Sequence, residues 1–187
     1  MKKPVQIISI ALVTMSIGCK PGNNTTTTDI VTANILVNKT VDINQMYQFY
    51  YNDPQTLDER QENDIIDYII DKNLTPTRSI TGLYYQITQE GTGERVKPGD
   101  QLEVHYTGSF LDGQVFDSSV QRDKSLKFKL GTTGLIQGWL EGLRYMKEGS
   151  KMTLIVPSRL AYQGQGFSTM IGPDMPLSFD MELLKLN

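Results

Sequence analysis

The sequence predicts an α+β domain: a curved antiparallel sheet of five to six strands wrapped on one short α-helix, preceded by an N-terminal helical extension. Three observations carry this. From residue 82 onward, apolar residues recur with a period of two in short runs separated by turn residues. Within that stretch only residues 134–143, GLIQGWLEGL, have helical apolar spacing. Upstream, residues 56–73, TLDERQENDIIDYIIDKN, carry a helix start signal and an apolar stripe.

The N-terminus reads as a processing segment over residues 1–18. Lys2 and Lys3 precede an apolar run from Val5 to Ile17, which is shorter than the roughly 20 residues of a spanning helix. It ends in Gly18-Cys19, a small residue directly before the only cysteine, and this resembles a bacterial lipoprotein cleavage site. That resemblance implies lipid on Cys19, which would anchor the chain to a bacterial envelope membrane in an extracytoplasmic position, facing the periplasm. Ser16 stands where such sites usually have leucine, and the competing reading is an ordinary secretory signal. Residues 19–29 have the composition of a flexible tether. Residues 30–81 form the extension, within which 30–54 are assigned to no element although Tyr47, Phe49, Tyr50 and Tyr51 make an aromatic patch.

In the helix expected at about 56–73, Thr56 and Glu59 fit a capping box. Asp58, Glu59, Glu62 and Asp64 lie early and Lys72 late, as the helix dipole favours. Ile65, Ile66, Ile69 and Ile70 fall on one face. That stripe packs on its own chain in one reading and forms a homodimer contact in the other.

The domain proper is expected over residues 82–187. Leu83, Tyr85 and Ile87 alternate with Tyr84, Gln86 and Thr88, and Leu102, Val104 and Tyr106 alternate with Glu103 and His105. Asp112-Gly113 signals a hairpin into Val115 and Phe116. Leu126, Phe128 and Leu130 make another strand, Met152, Leu154 and Val156 the next, and Leu177 through Leu183 the last. One apolar face per strand implies an antiparallel sheet with one wet side, whose dry side the 134–143 helix covers. Gly138 and Gly142 are poor helix formers beside the only tryptophan, Trp139. Lacking side chains, they would let the helix backbone approach the sheet or leave room beside the indole.

Composition excludes several classes. Net charge is −3 and no Lys/Arg block points to nucleic acid. No metal-ligand cluster, phosphate loop or nucleophile elbow is present, and Gly91-Thr92-Gly93 lacks the third glycine of a dinucleotide motif, so neither metal nor cofactor is expected. His105 is read as a hydrogen-bonding group of the sheet or, alternatively, a general base.

The ordered blocks VHYTGSFLDGQVFDSS (104–119), LGTTGLIQGWLEGLRYMKEGSK (130–151), VPSRLAY (156–162) and PLSFDMELLKLN (176–187) resemble the FKBP family of peptidyl-prolyl isomerases, over residues 83–187. The resemblance implies catalysis of cis-trans exchange at X-Pro bonds of exported proteins. It implies Asp117, Tyr162 and Phe116 as catalytic residues, and Tyr106, Arg122, Leu126, Leu135, Ile136, Trp139, Phe167, Ile171 and Phe179 as the proline-binding pocket. In that pocket Trp139 is the floor, Tyr106, Phe116 and Phe179 are walls, and Tyr162 donates its hydroxyl to a substrate carbonyl, with the Ile136 N–H as a second anchor. Asp117 orients Tyr106 or Arg122, or sits near the rotating carbonyl. Proline-containing polypeptides are the implied partners, and macrolide-type inhibitors the implied ligands. Leu126 stands where the family often has phenylalanine, Phe167 where it often has histidine, and Ile171-Gly172-Pro173 where it often has Ile-Pro-Pro, which should loosen that loop. The alternative is a non-catalytic module of the same fold that binds proline-containing segments or unfolded chains.

Overall fold

The structure is a computed structural model that describes residues 43–187 apart from 132 and 133. The signal segment, Cys19, the tether and residues 30–42 lie outside the described residues. Two helices come first, α1 (Ile43–Tyr47) and α2 (Leu57–Asp71), followed by β1 (Thr77–Arg78), β2 (Tyr84–Gln89), β3 (Gln101–Phe110), β4 (Val115–Ser118) and β5 (Leu126–Lys129). Helix α3 (Gln137–Gly142) precedes β6 (Lys151–Val156) and β7 (Leu177–Leu186). All pairings are antiparallel in the order β1-β2-β6-β7-β3-β4, and β5 also pairs with β3. The six expected strands are present, and the two-residue β1 adds a seventh.

The expected hairpin joins β3 to β4. Gly113 takes a left-handed φ of 92°, the Phe110 N–H donates to Gln114 O, and the Gln114 N–H donates to Asp112 Oδ1. The inward row of the sheet (Leu83, Leu102, Val104, Met152, Leu154, Val156, Leu177, Phe179, Met181, Leu183) packs with Trp139 and Leu143 into one core. Helix α3 sits close because its glycines have no side chains. A Cβ on Gly138 would lie 2.5 Å from Val156 Cγ1, and one on Gly142 would lie 2.7 Å from Leu154 Cδ1.

The other face is not wholly wet. Tyr84 and Ile155, register partners on β2 and β6, are fully buried on it beneath Ile65, Ile66 and Ile69 of α2 and Met46 of α1. Ile65, Ile66 and Ile69 of the stripe are therefore covered by their own chain, the first of the two readings, and Ile70 is half-buried. The capping box forms as expected, with the Glu59 N–H donating to Thr56 Oγ1 at 3.2 Å and the Thr56 N–H donating to Glu59 Oε2 at 2.9 Å.

Three consecutive polar residues of α2, Gln61, Glu62 and Asn63, are buried, and each has partners outside the helix. Asn63 pairs with the Tyr51 backbone in both directions at 2.8 Å. Glu62, expected as a charge placed early for the helix dipole, accepts from Arg78 Nε at 2.7 Å and from the Tyr84 hydroxyl at 2.6 Å. The Arg78 guanidinium also lies 4.7 Å from the centre of the Phe49 ring. Burial, followed by the bond to Glu62, pushes the Tyr84 hydroxyl far above its ordinary range.

Candidate active site

Strands β3, β4, β5 and β7, the start of α3 and the loop after β6 bring ten of the twelve expected residues onto one cavity of about 280 Å³. Its lining is Tyr106, Phe116, Asp117, Leu126, Leu135, Ile136, Trp139, Tyr162, Phe167 and Phe179, joined by Gly134. Trp139 is 5% exposed. Its ring meets Tyr106 edge-on at 5.0 Å and Phe179 at 5.4 Å, and Phe179 in turn meets Phe116 at 5.8 Å. Each centroid separation suits edge-to-face aromatic packing. The Trp139 Nε1–H makes no hydrogen bond and is the one such buried side-chain atom among the described residues. A buried indole N–H ordinarily finds a partner.

Gly108 makes the walls possible, although nothing in the sequence reading singled it out. It lies opposite Phe179 on β7 and Asp117 on β4, and a Cβ there would sit 2.6 Å from Phe116 Cζ and 2.9 Å from Phe179 Cε1. Both rings occupy the space that any other residue would fill.

Asp117 joins the apolar walls to a polar rim. Its Oδ2 accepts from the Tyr106 hydroxyl and its Oδ1 from Arg122 Nη1, while Arg122 Nη2 donates to the Tyr106 oxygen at 3.3 Å. Burial works to raise the Asp117 carboxyl, but the bonds from Tyr106 and Arg122 outweigh it and hold the group below its ordinary value. Burial and then the bond to Asp117 push the Tyr106 hydroxyl up. Tyr162 is pushed up by burial and then by the charge of Asp117, so it stays a protonated donor at neutral pH. Its ring stacks on Phe167 at 4.8 Å and 19°.

Two expected residues are not on the wall. Arg122 is exposed and acts at the rim through Asp117 and Tyr106. Ile171 is 4% exposed and belongs to the core. It faces inward because residues 167–171 form a tight turn closed by two backbone bonds, Phe167 N–H to Ile171 O at 2.8 Å and Ile171 N–H to Phe167 O at 3.1 Å. His105 does not line the cavity, and its Nδ1 lies 3.0 Å from Ser119 Oγ, in keeping with a sheet hydrogen-bonding group.

A family model described as FKBP-type peptidyl-prolyl cis-trans isomerase matches residues 92–184. The FK506-binding protein of Neisseria meningitidis is 42% identical over 105 residues, which cover 56% of this chain and 96% of that one. The chain belongs to the FKBP family. Within the family it is also similar to the FKBP-type peptidyl-prolyl cis-trans isomerase FkpA of Escherichia coli, 44% identical over 106 residues covering 57% of this chain and 38% of that one. The crystal structure of FkpA superposes with a TM-score of 0.60 at 35% identity, over 77% of this chain and 63% of that one. The chain thus spans less than half the length of the first curated relatives it matches. In the FKBP fold seen here, the β3–β4 hairpin and α3 supply the cavity, and the loop after β6 closes one side of it.

Proposed function

We propose that this chain is a peptidyl-prolyl cis-trans isomerase acting on X-Pro bonds of exported polypeptides. The observation that carries the reading is the aromatic cavity floored by Trp139 with the Asp117–Tyr106–Arg122 network at its rim. Resonance holds the amide planar against a barrier of about 18–20 kcal/mol, yet the two X-Pro isomers differ by only about 0.5–1 kcal/mol. The catalyst therefore needs to form no covalent bond. Twisting the amide reduces its charge separation, so an apolar enclosure disfavours the planar ground state more than the twisted state. The proline ring packs on Trp139 between Tyr106, Phe116 and Phe179. Tyr162, whose hydroxyl has no partner among the described residues, donates to a substrate carbonyl, and the Ile136 N–H anchors the chain. Asp117 fixes Tyr106 in place and keeps Arg122 at the rim. Macrolide-type inhibitors would compete for the same cavity.

The test is a protease-coupled or NMR exchange assay on X-Pro peptides with the purified protein. Phe116→Ala and Tyr162→Phe are expected to lower kcat/KM by roughly tenfold or more, with the fold retained. A rate in the unmutated protein equal to the uncatalysed one would exclude the enzyme. Phe167 and Met170 are exposed on the loop beside the cavity, which favours a second role as a holder of unfolded chains. Suppression of aggregation without isomerisation would leave that role alone. The sequence at Gly18-Cys19 supports a lipid-anchored, extracytoplasmic form, facing the periplasm. Mass spectrometry of the N-terminal peptide checks it, with an unmodified cysteine as the contrary result.

A further inference from the structure

We infer that Gln61, on the helix of the N-terminal extension, positions the loop that carries Tyr162 and Phe167 and thereby sets how tightly the site holds its substrate. The inference rests on the isomerase reading above. Gln61 is 3% exposed. Its Nε2 donates to Asp174 O at 2.7 Å, and its Oε1 accepts from the Ser158 N–H at 3.0 Å. Ser158 opens the 3₁₀ turn Ser158–Leu160, which leads from β6 into Tyr162, and Asp174 stands just before β7. One side-chain amide therefore ties both ends of the loop to α2.

The tie continues inside the loop. The Asp174 N–H donates to Gln163 O at 2.8 Å, and Gln163 Nε2 donates to Arg159 O at 3.2 Å. Gln163, directly after Tyr162, has φ 51°, and Asp174 has φ 57°. Left-handed backbone at non-glycine residues persists only where the surroundings hold it. Gly172 supplies no stiffness of its own. The restraint that offsets it comes from Gln61, through Asp174 and Gln163, to the Tyr162 ring and its stacked partner Phe167.

Only a glutamine-length amide offers the donor and the acceptor together. Glutamate keeps the length and the acceptor but donates only when protonated, and methionine keeps the volume and offers neither. The full chain is assayed as wild type, Gln61→Met, Gln61→Glu and Ile65→Val. The last variant loosens α2 packing without touching the loop. The expected result for Gln61→Met is a KM for X-Pro peptide raised roughly fivefold or more, because both of its hydrogen bonds to the loop are lost, with kcat changed by less than about twofold. Amide exchange at Phe167 and Ile171 should quicken while the β6 amides stay protected. Gln61→Glu should approach the wild-type KM on acidification and depart from it as pH rises, and Ile65→Val should lower stability with an unchanged KM. Wild-type KM and loop exchange in Gln61→Met would overturn the proposal, as would an equal rise in KM in Ile65→Val. If Gln61→Met fails to fold, the pH series of Gln61→Glu decides, and a pH-independent wild-type KM in that variant overturns the proposal. An inactive wild-type protein would remove the isomerase reading, and loop exchange in the Gln61 variants would still decide the positioning claim.

Discussion

Replacing Gly138 with alanine tests whether the closeness of α3 to the sheet is what seats the tryptophan. In an isolated helix this change would stabilise by about 1 kcal/mol, because glycine has more backbone freedom to lose. Here the new Cβ would lie 2.5 Å from Val156 Cγ1, 3.0 Å from its Cγ2 and 3.4 Å from Leu83 Cδ1. Carbon atoms prefer separations of about 3.5–4.0 Å, so α3 must retreat by about 1 Å. Val156 is β-branched, stiff at χ1 and fully buried, so it yields poorly. Overpacking of this kind costs about 1–3 kcal/mol, and set against the propensity gain it leaves a net loss of about 0–2 kcal/mol. Trp139, the next residue, moves with the helix. A misplacement of about 1 Å in a positioning group can cost roughly a hundredfold in rate, so kcat/KM should fall between roughly tenfold and a hundredfold. Urea unfolding followed by the fluorescence of the sole tryptophan gives the first number, and the X-Pro assay gives the second. Gly142→Ala is the internal comparison, because its Cβ meets the flexible end of Leu154 and should disturb less. A Gly138→Ala protein more stable than wild type and equally active would refute the reasoning.

Asp117 has a depressed carboxyl in the folded state, so its contribution to stability is fully present above the unfolded value of about 3.9 and is lost as pH falls through the folded value. The stability gap between wild type and Asp117→Asn should therefore be constant above about pH 5 and close in strong acid; denaturant melts across pH measure it, and a gap that changes near neutrality would contradict it. Glu62→Leu leaves Arg78 without its carboxylate. Glu62 keeps only 6% of its side chain exposed but Arg78 keeps 26%, so the loss should lie near the lower end for broken buried pairs, about 3 kcal/mol. Urea melts should also show that adding Arg78→Met to Glu62→Leu recovers part of that loss, and a strictly additive double variant would argue against the pairing.

The inner half of this fold was legible because its signals are local. Alternation in 102–106, 152–156 and 177–183 identifies the core face, and Thr56 with Glu59 marks the start of α2. The cavity was legible through the resemblance, which named ten of its lining residues. What escaped depends on partners distant in the chain. Glu62 looks like a helix-start charge until Arg78 and Tyr84 close on it. Gln61 has no local signature at all, since its partners are Ser158 and Asp174. The period of two sets Tyr84 on the side opposite Leu83 and Tyr85, but it does not tell whether another element covers that side. Ile171 shares the apolar character of the pocket residues, and only the backbone turn from Phe167 decides that it faces inward.

The strand order has a consequence for any extended polypeptide that meets the sheet edge. A sheet whose last strand is long and flat offers a row of free N–H and C=O groups onto which an extended polypeptide can zip. Here one border is the two-residue Thr77–Arg78, which pairs only with Tyr84 and Tyr85 and leaves the rest of β2 as a short edge, and the other is divided between Val115–Ser118 and Leu126–Lys129, two short strands that each cover part of Gln101–Phe110. The long strands lie in the interior of the ladder. An extended chain is thus offered only short, interrupted stretches for β-addition.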